Sequence, residues 1–316
     1  MRFRNTYLGI ITVFICTILL LVGCGTNNHA KEAKEKSKDV TVTDAMGQQV
    51  TIPANAKRIL APYMEDSLVA LGVTPVAQWS IGTTVLDYLQ SYLKDVQKIG
   101  WDLPLEHTIK AKHDLIIFSS PAAIQKGNYE VYKKVAPTYV FKDEEGSDWR
   151  KQLLVMGKLL GKDKQAKNAL ADYDEKAKQA SKKIKAAIGD ETAAILWVAG
   201  DQFYLFENTR FAANVLYDDL GVAQPEMIQK LPVAEATWKP VSLEALSKLD
   251  ADHLFLVSKP GESGLETLKN SSVWKGIPAV KKGNVYNMED PSHWTISGLI
   301  ANKLTIDQIV DSLTKK

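Results

Sequence analysis

Cys24 closes the segment Leu21-Val22-Gly23-Cys24, directly after an apolar run from Tyr7 to Val22 that Arg2 and Arg4 precede. A basic start, a short apolar stretch, a small residue and then a thiol are what lipidation of an exported chain requires. The charges hold the start on the cytoplasmic side, the apolar stretch enters the bilayer, and Gly23 lets a peptidase reach the bond. The run is 16 residues, short of the ~20 that a spanning helix needs. The pattern predicts a lipoprotein signal peptide over 1–23 and a mature chain that starts at a diacylated Cys24, against the blander alternative of an uncleaved anchor.

Other reactive constellations are missing. No Gly-x-Ser-x-Gly elbow occurs. The stretch Gly157 to Gly161-Lys162-Asp163 has its glycines too close together for a phosphate loop, and no Ser or Thr follows Lys162 to hold magnesium. The five histidines (29, 107, 113, 253, 293) include no pair at helical metal-ligand spacing. Cys16 leaves with the signal and Cys24 is consumed by lipid, so the exported part has no thiol for a disulfide or a nucleophile. The whole chain has 39 basic and 37 acidic residues, and losing Arg2 and Arg4 leaves 37 of each. That balance argues against nucleic acid or an anionic membrane surface as partner. The expectation is a protein that is not an enzyme and needs no cofactor.

The elements that position the remaining residues follow from periodicity. Residues 24–39 are rich in Lys and Glu and poor in apolar side chains, which predicts a flexible tether. The remaining stretch, about 275 residues, exceeds what one core usually holds and favours two lobes. Strand-like runs (Lys57–Ala61, Asp114–Phe118, Thr138–Phe141) alternate with helical ones (Glu65–Leu71, closed by Gly72, and Asn128–Val135), which predicts a parallel sheet in an N-terminal lobe over 40–147. A helical segment follows over 148–188, broken near Gly157 and Gly161, then continuous from Asp163 to Ile188 and ended by Gly189. Alternation resumes in a C-terminal lobe over 189–316: strands at Thr192–Val198, Phe203–Phe206, His253–Ser258 and Asn284–Met288, helices at Asn214–Leu220 and Asn302–Thr314. The halves rhyme. Leu71-Gly72-Val73 is answered by Leu220-Gly221-Val222, and Asp114 before its apolar run by Asp252. The fold class expected is α/β, two similar lobes joined by one long helix.

From about Val40 onward the chain resembles the bacterial iron–siderophore substrate-binding proteins of ABC importers, the class whose lobes are bridged by one rigid helix. The resemblance rests on Ile52-Pro53-Ala54-Asn55-Ala56-Lys57-Arg58-Ile59, Leu71-Gly72-Val73, Lys98-Ile99-Gly100 and Asp114-Leu115-Ile116-Ile117. It rests also on Lys134-Val135-Ala136-Pro137-Thr138 and on Ser272-Val273-Trp274-Lys275 through Ala279-Val280. It implies two Rossmann-like lobes with mostly parallel sheets and a ligand cleft between them. Within the class the chain is most similar to Gram-positive lipoproteins for hydroxamate siderophores such as ferrichrome and ferrioxamine. The implied partners are a ferric siderophore, an ABC permease and the membrane through the lipid, with the protein acting as a monomer on the extracytoplasmic face. The family's ligand arginine falls at Arg210; its usual Arg-Gly-Gly is Arg210-Phe211-Ala212 here, a bulkier loop. Salt bridging of Arg210 to Glu207 or Asp218 is the structural alternative. The surface glutamates that dock on the permease fall at Glu106 and Glu244.

Charge sharpens the ligand. The mature chain has three arginines, Arg58, Arg150 and Arg210; lysines could substitute, but their hydrated point charge matches chelate oxygens less well, so a neutral or weakly cationic hydroxamate complex is favoured over a triply anionic catecholate. Tyr63, Trp79 and Trp101 follow N-lobe strands or glycine, where such a fold opens its cleft. Tyr204, Trp238 and Trp294 match aromatic ligand positions of the hydroxamate binders. Trp149, Trp197 and Trp274 are assigned to the core. Ser119 and Ser120 follow a central strand and could donate hydrogen bonds to a ligand. The rival readings are an anionic ferric citrate or catecholate, cobalamin, and haem, the last with Met64 and His293 as axial ligands.

Overall fold

In a computed structural model of the chain, the structure describes residues 39–54, 56–124, 129–235 and 237–315. The signal peptide, Cys24 and the tether up to residue 38 lie outside the described residues. Asp39 leads into an antiparallel hairpin, β1 (Val40–Thr43) and β2 (Gln49–Ile52). Its turn is closed by the Asp44 carboxylate, which accepts the N–H groups of Met46 and Gln48 at 2.9 Å each.

The N-lobe then builds β3 (Ile59–Leu60), helix α1 (Glu65–Ala70), β4 (Gln78–Ser80), β5 (Lys98–Gly100), helix α2 (Leu105–Lys110), β6 (Leu115–Phe118) and β7 (Thr138–Val140). The order β3-β6-β7 is parallel throughout, and β4-β5 form a second parallel pair. All four residues of β6 are buried, as expected of a strand covered on both faces.

Helix α3 (Trp149–Leu159) and helix α4 (Asp163–Ile188) follow. At about 1.5 Å per residue, the 26 residues of α4 span roughly 39 Å. Gly189 at φ +63° ends it. The C-lobe sheet runs β11-β10-β8-β9, formed by β8 (Ala193–Ala199), β9 (Gln202–Leu205), β10 (His253–Val257) and β11 (Val285–Met288). β8, β10 and β11 are parallel and β9 is antiparallel to β8. The expected helix over Asn214–Leu220 is instead one short turn at Ala212–Asn214 followed by wider, π-type turns over Val215–Asp219, where the Leu220 N–H bonds the Val215 carbonyl at 3.0 Å. A short helix α5 (Leu243–Leu246) precedes β10, and helix α6 (Leu299–Thr314) closes the chain.

The rhyming motifs turn out to be matched joints. Asp114 Oδ2 accepts the N–H groups of Lys57 and Arg58 ahead of β3, while Asp252 Oδ2 accepts the N–H of Thr192 ahead of β8. Gly72 and Gly221 both take positive φ, and both abut α4: one beside Gln165 near its start, the other beside Ser181 toward its end. α4 therefore touches the same motif in each lobe, which is what a bridging helix requires.

Candidate functional site

Between the lobes lies a cavity of about 360 Å³. The N-lobe supplies Tyr63, Trp79 and the segment Thr84–Asp87; the C-lobe supplies Trp197, Ala199, Lys259, Glu262 and the loop around Ser292. Tyr63 follows β3, Trp79 lies in β4, Trp197 and Ala199 end β8, and Lys259 follows β10. The cavity thus sits outside the carboxyl ends of parallel strands, the usual ligand crevice of such sheets.

Tyr63 and Trp79 form one aromatic wall, with ring centroids 4.9 Å apart. Tyr63 holds φ +63°, a conformation residues with a side chain rarely adopt, and it remains 44% exposed. Behind them Glu65, fully buried, accepts the Trp79 N–H on Oε1 at 2.7 Å. Opposite stands Trp197, which packs on Tyr204 at 5.1 Å and on Trp238 at 5.0 Å. Trp238 also meets Phe206 and Phe211.

Trp197, expected in the core, lies instead on the cleft wall. It sits in the same strand face as Ala199 at the mouth of the sheet, and its half-buried indole lines the cavity. Trp149 and Trp274 are buried as expected.

Several expected wall residues are placed elsewhere. Arg210 is 4% exposed; it stacks at 4.2 Å on Trp238, pairs with Glu207, and donates to the Glu235 carbonyl at 2.8 Å. Its guanidinium is thus behind the aromatic cluster and already neutralised, the Glu207 alternative noted above. Phe211 adopts φ +42°, the left-handed region that suits the glycine expected there. Trp294 is fully buried against Phe255, its indole N–H donating to Gln308 at 2.8 Å. His293 is 2% exposed, with Nδ1 3.1 Å from the Thr305 hydroxyl, and burial pushes it down to about 4. The loop holding both reaches the cavity through Pro291, Ser292 and Thr295, while these two side chains turn inward.

Met64, the other proposed haem ligand, is 1% exposed in the N-lobe core. Trp101 is 50% exposed and off the cavity wall, its N–H bonded to the Ser80 carbonyl. Ser119 and Ser120 are also off the wall, and the Ser120 hydroxyl caps the turn over Pro121–Ala123. Arg58 and Arg150 are structural. Arg58 donates to the carbonyls of Ala111 and Lys112, and Arg150 pairs with Asp219 at 2.8 Å while lying over Trp149 and Tyr173.

The charged groups on the wall are Asp87, Lys259 and Glu262. Lys259 reaches Asp87 across the cleft at 3.4 Å, and Glu262 accepts the Gly200 N–H at 2.6 Å. Glu106 in α2 and Glu244 in α5 are both exposed; Glu106 pairs with Lys110, one turn on.

Comparison with known proteins agrees with this architecture. Residues 60–291 match the family model described as periplasmic binding protein. The chain is 26% identical to the iron(3+)-hydroxamate-binding protein YxeB of Bacillus subtilis (strain 168), over 98% of this chain and 96% of that one. It is 25% identical to the Fe(3+)-citrate-binding protein YfmC of the same organism, over 99% of both. Among solved structures, FhuD2 from Staphylococcus aureus with bound ferrioxamine B superposes with a TM-score of 0.69 at 26% identity, covering 81% of this chain and 98% of that one. With the family model matched over most of its length, two lobes of mostly parallel sheet and one bridging helix, the chain belongs to the periplasmic binding protein family.

Proposed function

We propose that this protein captures a ferric siderophore of the hydroxamate type between its lobes and delivers it to an ABC importer, as a monomer anchored outside the membrane through Cys24. The observation that carries the reading is the character of the cavity. Its walls are aromatic, and their charged groups are one lysine and two carboxylates. Such a wall suits a neutral or weakly cationic complex, because a triply anionic chelate would meet more negative than positive charge. The similarity to the hydroxamate binders, one of them solved with ferrioxamine B, supports the same ligand class.

In this account Tyr63, Trp79 and Trp197 contact the chelate, while Tyr204 and Trp238 back Trp197. Arg210 acts from behind, holding Trp238, and does not need to touch the iron-bound oxygens. Glu106 and Glu244 meet the permease. The protein is a carrier and its cargo iron stays in the siderophore. Similarity to the citrate-binding relative favours a second reading, in which Lys259 leaves Asp87 to meet an anionic ferric citrate. Titrating the purified protein with ferrichrome and with ferric citrate under tryptophan fluorescence separates them: quenching by ferrichrome at lower concentration supports the first, and the reverse order replaces it with the second.

A further inference from the structure

Glu65 is fully buried directly behind the aromatic wall of the cleft, and its two carboxyl oxygens differ. Oε1 accepts the backbone N–H of Trp79 at 2.7 Å, whereas Oε2 is buried with no hydrogen-bond partner among the described residues. An ionised carboxylate with one oxygen unsatisfied in such a place is costly; a proton on Oε2 removes the charge and leaves Oε1 free to hold Trp79. Among the described residues no cation offsets the charge. Asp66, next along α1, adds a like charge, and Tyr63 and Tyr88 are the other titratable groups that feel Glu65.

We propose that Glu65 is a positioning residue for the cleft, holding Trp79 through one carboxyl oxygen and carrying a proton on the other, so that ligand capture is linked to proton uptake. The inference rests on the proposed capture of a ferric hydroxamate. Burial, with only partial relief from the N–H groups of Trp79, Glu65 and Tyr63, raises the carboxyl to about 7. A neutral complex seated on Tyr63 and Trp79 displaces water from that wall and disfavours the ionised form further. Affinity is therefore highest where Glu65 is protonated and falls as pH rises through about 7. Stability carries the same sign. The folded chain holds this proton more tightly than the unfolded chain does, so its contribution is complete below the ordinary carboxylate range. That contribution declines up to about 7 and is flat beyond.

The test uses ferrichrome, which is neutral, on the wild-type protein and Glu65→Gln, which keeps the acceptor for Trp79 and cannot ionise. From about pH 5.5 to about pH 8.5 the wild type is expected to weaken roughly three- to tenfold, the reach of up to one unit of further shift on binding, while Glu65→Gln changes less than about twofold. Equal slopes in the two proteins, or a flat wild type, overturn the proposal. Carbon-13 titration of the Glu65 carboxyl in ligand-free wild type needs neither the variant nor the ligand. A midpoint near 7 supports the proposal, and one in the ordinary carboxylate range overturns it. Failure of ferrichrome to bind at every pH would strike the capture reading instead, and the carboxyl titration would still decide the protonation of Glu65.

Discussion

The Arg210 guanidinium lies 4.2 Å from the centre of the Trp238 ring, and Trp238 meets Trp197 edge-on at 5.0 Å. A cation locked in the protein therefore sets the rear of the cleft wall while Glu207 neutralises it. Arg210→Ala leaves the Glu207 carboxylate buried without its partner, a loss of about 3 kcal/mol in urea unfolding. Removing both, as Arg210→Ala with Glu207→Ala, recovers part of that loss. Ferrichrome binding weakens in both variants because Trp238 loses its stacking partner, by about 1 kcal/mol for an exposed-to-buried cation–π contact.

The tryptophans divide into two classes by what they touch. Trp197→Ala opens the cavity wall, and weakens ferrichrome binding by about 1–2 kcal/mol, the range of one lost aromatic contact. Trp294→Ala empties a site that is 0% exposed, so it costs about 3–5 kcal/mol of folding stability. Calorimetric melting beside a fluorescence titration tells the two apart; a Trp294 variant with normal melting would remove it from the core.

Asp66 ties the N-lobe to the last helix. Its carboxylate accepts the N–H groups of Ile300 and Ala301 in α6 at 3.1 and 2.9 Å, and the Tyr88 hydroxyl at 3.0 Å. That carboxylate occupies the space a side chain at Gly298 would fill. Gly298→Ala is expected to displace it and lose about 1–3 kcal/mol, the range for overpacking a filled site. Asp66→Ala removes the cap and loses about 1 kcal/mol or more. A double variant that costs no more than Gly298→Ala alone shows that both changes act through one contact.

Glu106 and Glu244 are exposed and outside every packed contact that the cleft needs. Replacing both with alanine is expected to change stability by less than about 0.5 kcal/mol and to leave ferrichrome binding intact. Uptake of iron-55 ferrichrome by cells that carry the importer is lost in the double variant. Normal uptake would take these two residues out of the docking role.

Much of the fold was legible because its signals are local. Apolar runs of strand length, the proline-free stretch before Gly189 and the paired Leu-Gly-Val and Asp motifs each encode one joint. Side-chain direction was less legible. His293 and Trp294 sit beside Ser292 in a loop that does reach the cavity, but composition does not say which side of a loop faces the core. Trp197 could have been found, because the rule that selects Trp79 at a strand's carboxyl end applies equally to β8. Glu65 was hidden because an acid at a helix start reads as a partner for the helix dipole. Only the fold shows that the Trp79 backbone returns over it and that its side chain is fully buried.

The cargo defines what this protein does. Tryptophan fluorescence of the purified protein, titrated in parallel with ferrichrome, ferrioxamine B, ferric citrate, a ferric catecholate, haem and cobalamin, tests it most directly. Saturable quenching by the two hydroxamates at the lowest concentrations, weakened by Trp197→Ala, is the expected result. Tighter binding of ferric citrate or the catecholate, a Soret band with haem, or preference for cobalamin would contradict it.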